Sequence, residues 1–214
     1  MQVYRTFKKR AEEQQPEEQY PEQIVESMTP KIYQKRIIIN DINSETTADF
    51  IKSFYEIEDT GQEIIPIYIN SCGGGLEDSL AIVDVIRCST AIVPTVAIGR
   101  AYSGGSLILA AGAEGYRYVS PNSTIMIHDI AAGFGGKTHD ILNTANEIAR
   151  LDKVLFTMMD NFCKQEIGYF KKMLKDRQNT DWYLSPDEAV EQKIADHVKL
   201  PTFRLGMHYE YFLS

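Results

Sequence analysis

The chain has 214 residues, which fits one domain of the usual size, about 100–200 residues, with an appended segment. Hydrophobic residues make up 43% and charged residues 24%, a composition that excludes a chain disordered or fibrous throughout. The 22 basic and 30 acidic side chains give a net charge of −8, which disfavours nucleic acid or an anionic membrane as the main partner. No apolar run approaches the roughly 18 residues of a membrane-spanning helix.

The first 30 residues are rich in Glu, Gln and Lys and poor in large apolar side chains. We interpret residues 1–30 as a mobile or partner-ordered arm. The segment lacks the apolar stretch of a secretory signal, and its early acidic residues do not suit a transit peptide, so we expect a cytoplasmic protein. The three cysteines, an odd number without CxxC spacing, predict neither a disulfide framework nor a thiolate metal site.

Hydrophobic periodicity predicts alternating strands and helices from residue 37 onward. Strands are expected at 37–39, 64–69, 95–98, 116–119 and 124–128, and helices at 46–57, 77–87, 103–111, 138–161 and from 186. The long helix 138–161 is amphipathic and long enough to project from a compact core. Ser185, Pro186 and Glu188 are start signals for the last helix. The alternation predicts a layered α/β fold with a parallel sheet flanked by helices.

Ser103 lies where a predicted strand enters a helix of small residues, within Gly99-Arg100-Ala101-Tyr102-Ser103-Gly104-Gly105. This position places a hydroxyl at the positive end of a helix, beside backbone N–H groups that have no intrahelical partner. The N–H of Gly104 is then free to stabilise an oxyanion, as a nucleophilic serine requires. The alternative is that Ser103 only caps the helix.

A run of glycines follows the second predicted strand, in Asn70-Ser71-Cys72-Gly73-Gly74-Gly75. Sites in open α/β folds usually lie at this end of the strands. Gly74 is a candidate second oxyanion donor, and Gly73 and Gly75 are candidates for pairing with an extended peptide. The alternative is a simple glycine turn. A phosphate-binding loop is disfavoured because its Lys and Ser/Thr are missing.

A nucleophilic serine needs a base, and His128, at the end of a predicted strand, is better placed than His139, His197 or His208. A structural histidine is the alternative. The carboxylate that orients the imidazole is left open by spacing. The candidates are Asp129, Asp140, Asp160, Asp176 and Asp181. On a strand, Asp129 would point away from the face of His128, whereas Asp181 precedes the capped helix in a loop that can return to the site.

Four ordered motifs resemble those of the Clp protease proteolytic subunit family, ClpP, over about residues 32–200. They are Tyr68-Ile69-Asn70-Ser71-Cys72-Gly73-Gly74, Ala101-Tyr102-Ser103-Gly104-Gly105, Asn122-Ser123-Thr124-Ile125-Met126-Ile127-His128 and Asp181-Trp182-Tyr183-Leu184-Ser185-Pro186-Asp187-Glu188-Ala189. Cys72 stands where the family usually has proline, and Tyr102-Ser103-Gly104 replaces the common Ala-Ser-Met. Pro66 and Asn179-Thr180 also depart from family positions concerned with unfoldase docking and ring contacts.

The resemblance implies a crotonase/ClpP-like fold and a serine peptidase domain at residues 31–200, with a projecting handle at about 133–161 and a tail at 201–214. It implies that Ser103 attacks the peptide carbonyl, His128 transfers the proton and Asp181 orients His128. The N–H groups of Gly74 and Gly104 would form the oxyanion hole.

The resemblance further implies heptameric rings, stacked in pairs as a tetradecamer, and an AAA+ unfoldase of the ClpX or ClpA/ClpC type. Substrates would be unfolded polypeptides and short peptides. The chain itself would need no metal or cofactor, because ATP is used only by the unfoldase. Two other functions are weighed: a catalytically silent ring or scaffold subunit, and a crotonase-type acyl-CoA enzyme that uses the same N–H donors.

Overall fold

The computed structural model describes residues 34–131, 133 and 135–203. The predicted arm at 1–30 and the tail from 204 onward lie outside these residues. The strands are β1 (Ile37–Ile39), β2 (Ile67–Ser71), β3 (Thr95–Tyr102), β4 (Arg117–Val119), β5 (Thr124–Ile127), β6 (Trp182–Leu184) and β7 (His197–Val198). The helices are α1 (Ser44–Glu58), α2 (Leu76–Cys88), α3 (Gly104–Ala111), α4 (Thr138–Phe162), α5 (Tyr169–Asp176) and α6 (Pro186–Glu191).

Strand β3 connects two parts of one mainly parallel sheet. Its first half pairs with β2 and β4, and its second half pairs with β5 and, at Ala101, with Ser71 of β2. The main strand order is β1-β2-β3-β4-β7, and β6 is added to β5 in antiparallel orientation. Gly99, with φ 74°, lies between the two halves of β3. The sheet therefore divides at β3 into a branch with β4 and a branch with β5. Strand β6, which comes late in the chain, belongs to the β5 branch.

The apolar faces of the helices cover this sheet. Helix α1 buries Phe50, Phe54 and Ile57, and α3 is buried along its whole length. Helices α1, α2 and α3 pack in succession, α3 packs against β3, and α4 packs on α3 and α5. Only the second half of α4 contributes fully buried side chains, namely Phe156, Met159 and Asp160. The first half of this long helix is largely exposed.

The parallel α/β fold predicted from sequence is confirmed, and several element bounds differ. The strand predicted at 64–69 begins only at Ile67, because Pro66 has no N–H to donate to a ladder. Ile64 instead forms an isolated bridge with Ile92. The strand predicted to end at residue 98 continues to Tyr102. In the strand predicted to be buried at 37–39, the side chain of Ile38 is 62% exposed.

Three short elements are absent from the sequence prediction: α5, β6 and β7. Their apolar patterns are too short to distinguish from loops by periodicity alone. The predicted start of the last helix is confirmed, since Ser185 and Glu188 form a reciprocal capping box and Pro186 follows the cap. Within the described ranges, no helix is both long enough and apolar enough to span a membrane.

Candidate active site

Ser103 lies at the junction of β3 and α3 in an unfavourable backbone conformation. Its φ of 53° and ψ of −121° place a non-glycine residue outside the regions that L-amino acids usually adopt. The conformation is held by its neighbours: the Ser103 N–H donates to Met126 O at 2.9 Å, and the Ser106 hydroxyl donates to Ser103 O at 2.7 Å. Strain held by hydrogen bonds in this way is concentrated at functional sites.

Gly73 approaches Ser103 more closely than any side chain would permit. A Cβ added to Gly73 would lie 2.7 Å from Ser103 Cβ and 2.9 Å from Tyr102 O, and its φ is 92°. At Gly104 an added Cβ would overlap the hydroxyl of Ser79. The two glycine motifs predicted from sequence are therefore brought together, and a side chain at either position would displace the loop or the helix start.

The glycine N–H groups around Ser103 divide into two classes. Gly73 donates to Ser71 Oγ at 3.0 Å, and Gly75 donates to Ile42 O at 3.0 Å. Within the described part of the chain, Gly74 and Gly104 donate to no backbone carbonyl outside regular elements. Gly104 is the first residue of α3, where N–H groups have no intrahelical acceptor. Gly74 and Gly104 both line the cavity beside Ser103.

His128 and Asp181 come together through the pairing of β5 with β6. Ile127, the last residue of β5, is paired with Trp182, the first residue of β6, in this antiparallel ladder. The residue after β5, His128, and the residue before β6, Asp181, are therefore opposite each other. His128 Nδ1 lies 3.8 Å from Asp181 Oδ1. This is an ion-pair distance and is longer than a hydrogen bond. Asp181, expected in a loop, is thus the residue directly before a strand.

The cavity beside Ser103 has a volume of about 540 Å³. One wall is the cavity-facing side of α4, formed by Thr144, Ile148, Leu151 and Leu155. Ser103, Gly104 and His128 also line the cavity, with Met126, Ile130 and Ala131. Glu77 supplies the only carboxylate among the described lining residues. The cavity therefore offers an apolar wall to a side chain whose backbone lies near the serine.

The sequence profile of the family described as Clp protease matches residues 21–201 of the chain. The chain belongs to the Clp protease family. A similar protein is the ATP-dependent Clp protease proteolytic subunit of Borrelia garinii subsp. bavariensis, which is 34% identical over 173 residues. The alignment covers 78% of this chain and 86% of that protein. The resemblance carried by the four motifs is confirmed, and the chain is a Clp-type serine peptidase.

Other carboxylates considered for the site have different contacts in this Clp protease family member. Asp129 pairs with Lys171 at 2.7 Å. Asp160 is fully buried and accepts the backbone N–H groups of Gly168 and Phe170 at 2.6 and 3.1 Å. This buried carboxylate holds the start of α5. Asp140 and Asp176 lie in the exposed part of α4 and at the exposed end of α5.

The other described histidines, His139 and His197, do not line the cavity beside Ser103. His139 is exposed near the start of α4. His197 stacks on Tyr118, with ring centroids 5.1 Å apart, and its Nε2 lies 3.1 Å from Gly115 O. His208 falls outside the described residues. Of the described histidines, only His128 lines the cavity beside Ser103.

Two tyrosines of this Clp protease were missed in the sequence analysis. The Tyr183 hydroxyl lies 3.5 Å from Asp181 Oδ2, and its ring meets the edge of Tyr102 at a centroid distance of 5.8 Å. Burial and the negative charge of Asp181 raise the pKa of Tyr183. The alternation of Trp182, Tyr183 and Leu184 is the signal that could have indicated β6.

Proposed function

We propose that this Clp-type peptidase cleaves peptide bonds with Ser103 as nucleophile, His128 as proton carrier and Asp181 as the carboxylate that orients His128. The observation that carries the proposal is the backbone of Ser103, a strained serine held at the start of a helix next to Gly73. A serine that only capped the helix would accept an N–H of the first turn, and Ser103 makes no such side-chain bond.

The mechanism follows from the arrangement around the cavity. Ser103 Oγ attacks the substrate carbonyl carbon as His128 takes its proton, and the N–H groups of Gly74 and Gly104 stabilise the resulting oxyanion. His128 then returns the proton to the departing amine. A water molecule hydrolyses the acyl-enzyme by the same proton transfers in reverse. Asp181, facing Nδ1 of His128, stabilises the imidazolium formed in both halves of the reaction.

Substrate is proposed to bind as an extended strand along the glycine loop near Gly73 and Gly75, whose own N–H groups donate to Ser71 Oγ and Ile42 O. One side chain would enter the cavity and pack on the apolar face of α4. This arrangement suits unfolded polypeptides and short peptides, since a folded protein presents few extended segments to a recessed serine. The reaction needs only protein groups, so we propose no metal and no cofactor in the chain.

Membership of the Clp protease family supports oligomeric assembly and a Clp ATPase as partner. We propose heptameric rings, stacked as a tetradecamer, and an AAA+ unfoldase that consumes ATP and delivers unfolded chains. The long exposed first half of α4 offers surface for contacts between rings. Neither alternative function is favoured by a specific observation.

The test is labelling with a fluorophosphonate probe, with the modified peptide identified by mass spectrometry. We expect labelling at Ser103, none in Ser103→Ala, and strongly slowed labelling in Asp181→Asn. Asp176→Asn is the matched control, because it removes an exposed carboxylate nearby in the chain. Folded, assembled wild-type protein that does not react would contradict the proposal and favour the silent subunit.

A further inference from the structure

Lys171 on helix α5 lies between two carboxylates that belong to different parts of the fold. Its Nζ is 2.7 Å from Asp129 Oδ1 and 2.6 Å from Asp152 Oδ2. The same ammonium group lies 4.9 Å from the centroid of the Phe156 ring. Four side chains from α4, α5 and the segment after β5 thus form one cluster. We call these four residues the Lys171 cluster.

Each partner of Lys171 is next to a residue of the candidate site. Asp129 directly follows His128 in the chain. Asp152 follows Leu151 on α4, and Leu151 and Leu155 line the cavity beside Ser103. The ammonium group therefore connects the residue after the proposed proton carrier to a helix that lines the cavity.

The cluster is only partly exposed, which strengthens its interactions relative to an isolated surface pair. The side chains of Lys171, Asp129 and Asp152 are 44%, 34% and 18% exposed. Burial disfavours the charged lysine, but hydrogen bonds to both carboxylates outweigh it and raise the pKa of Lys171. Without this cation the two carboxylates would be held close together uncompensated, and their repulsion would push the segments apart.

Little else in the described structure fixes the segment after His128. Strand β5 ends at Ile127, and the residues from His128 to Ala131 belong to no helix or strand. His128 itself has only the 3.8 Å contact to Asp181 among the ion pairs of the described residues. The two-carboxylate bridge is consequently the strongest polar restraint next to the imidazole.

We infer that Lys171 is a positioning residue for His128: through Asp129 and Asp152 it fixes the strand end that carries the imidazole against the wall formed by α4. The inference rests on the proposed function of His128. It predicts that loss of Lys171 slows the chemical step, while binding of a small probe in the cavity changes little.

The experiment compares the assembled protein with Lys171→Met, Lys171→Arg and Asp129→Asn in the fluorophosphonate reaction. The limiting rate constant of Ser103 modification should fall by about tenfold to a hundredfold in Lys171→Met, with the half-saturating probe concentration within about twofold of wild type. Lys171→Arg should recover most of the rate, since arginine can bridge two carboxylates. Lys172→Met, at the exposed neighbouring position on α5, should react as wild type does.

Hydrogen exchange of a peptide covering residues 127–131 supplies a readout independent of catalysis. Exchange in this segment should be faster in Lys171→Met and normal in Lys172→Met. The double variant Lys171→Met/Asp129→Asn should be no slower in labelling than Lys171→Met alone, because both changes break the same bridge. If Lys171→Met does not fold, Asp129→Asn tests the same inference, because it removes the ion pair between Lys171 and the residue after His128.

The outcomes separate this inference from the proposed function. Labelling of Lys171→Met at the wild-type rate, or equal losses in Lys171→Met and Lys172→Met, would overturn the positioning role. A wild-type protein that is never labelled would overturn the proposed function instead. In that case the exchange experiment still decides whether Lys171 restrains the segment: unchanged exchange refutes the inference, and faster exchange in Lys171→Met alone supports it.

Discussion

Trp182 is the antiparallel partner of Ile127, and this one pairing brings two residues distant in sequence to the same place. Because β6 runs opposite to β5, the residue before Trp182 faces the residue after Ile127. Asp181 therefore lies beside His128, although more than fifty residues separate them in the chain. The register of a two-strand ladder thus determines which of several carboxylates faces the imidazole.

The first prediction concerns the carboxylate at this register position. Asp181→Asn should lower kcat for a short peptide by at least about a hundredfold, because the amide favours the wrong imidazole tautomer and does not stabilise the imidazolium. Tyr183→Phe should lower kcat by less than about threefold, since the hydroxyl is 3.5 Å from Asp181 and only supports it. Steady-state kinetics measure both. Equal effects of the two substitutions would argue against Asp181 as the orienting group.

The second prediction concerns the backbone strain at Ser103. With φ at 53°, replacement by glycine should remove a strain of about 1–3 kcal/mol and raise the free energy of unfolding. Ser103→Ala keeps the unfavourable conformation and should gain little. Thermal and urea denaturation compare the two inactive variants. A Ser103→Gly protein no more stable than Ser103→Ala would show that the conformation is not strained.

The third prediction tests the close contact between the start of α3 and helix α2. Gly104→Ala should slow labelling of Ser103 by about tenfold or more, because the added methyl group meets the Ser79 hydroxyl and displaces the start of α3. Adding Ser79→Ala should restore part of the rate, since Ser79 Cβ would then be the nearest atom at 3.1 Å. Ser79→Ala alone, which loses the bond from Ser79 Oγ to Gly75 O, is the control. No recovery in the double variant would exclude this steric account.

The fourth prediction concerns the pair formed by Arg117 and Asp196, which holds β4 against the segment before β7. Burial disfavours the Asp196 carboxylate, but two hydrogen bonds from Arg117, at 2.9 and 2.6 Å, outweigh it and lower its pKa. A lowered pKa makes a contribution to stability that is present above about pH 4 and lost as the pH falls through the folded-state pKa.

Asp196→Asn should therefore cost about 2–3 kcal/mol at pH 7 and less at pH 3. Urea denaturation at the two pH values measures the difference. Asp84→Asn, an exposed position on α2, should be nearly neutral at both. A cost for Asp196→Asn that does not depend on pH would show that packing, and not the ion pair, stabilises this contact.

The fifth prediction concerns the three cysteines. Burial raises the pKa of Cys163 to about 12, whereas Cys72 and Cys88 are exposed. A thiol reagent at pH 8 should therefore modify Cys72 and Cys88 rapidly and reach Cys163 only after unfolding. Mass spectrometry of the modified peptides distinguishes the three. Rapid modification of Cys163 in the native protein would indicate that the end of α4 opens locally.

The parallel fold and the closeness of Ser103 to the glycine loop could be predicted, because both follow from long apolar segments and from motifs at strand ends. Spacing alone did not identify the partner of His128, and the family resemblance was what pointed to Asp181. Five aspartates satisfied the spacing, and the choice depends on β6, whose alternation extends over only three residues, too few to predict a strand. The proposed role of Lys171 could not be predicted from the sequence either, because it depends on distances between α4, α5 and the end of β5 that no local pattern encodes.

Among the described strands, β6 pairs only with β5, at the end of its branch of the sheet. When a ribosome has synthesised the chain only as far as α4, Ser103 and His128 are already present. Asp181 and the strand that follows it, β6, are not. Asp181, proposed to orient His128, is thus synthesised after the other residues of the site. An unfinished or truncated chain would therefore lack the carboxylate proposed to orient His128.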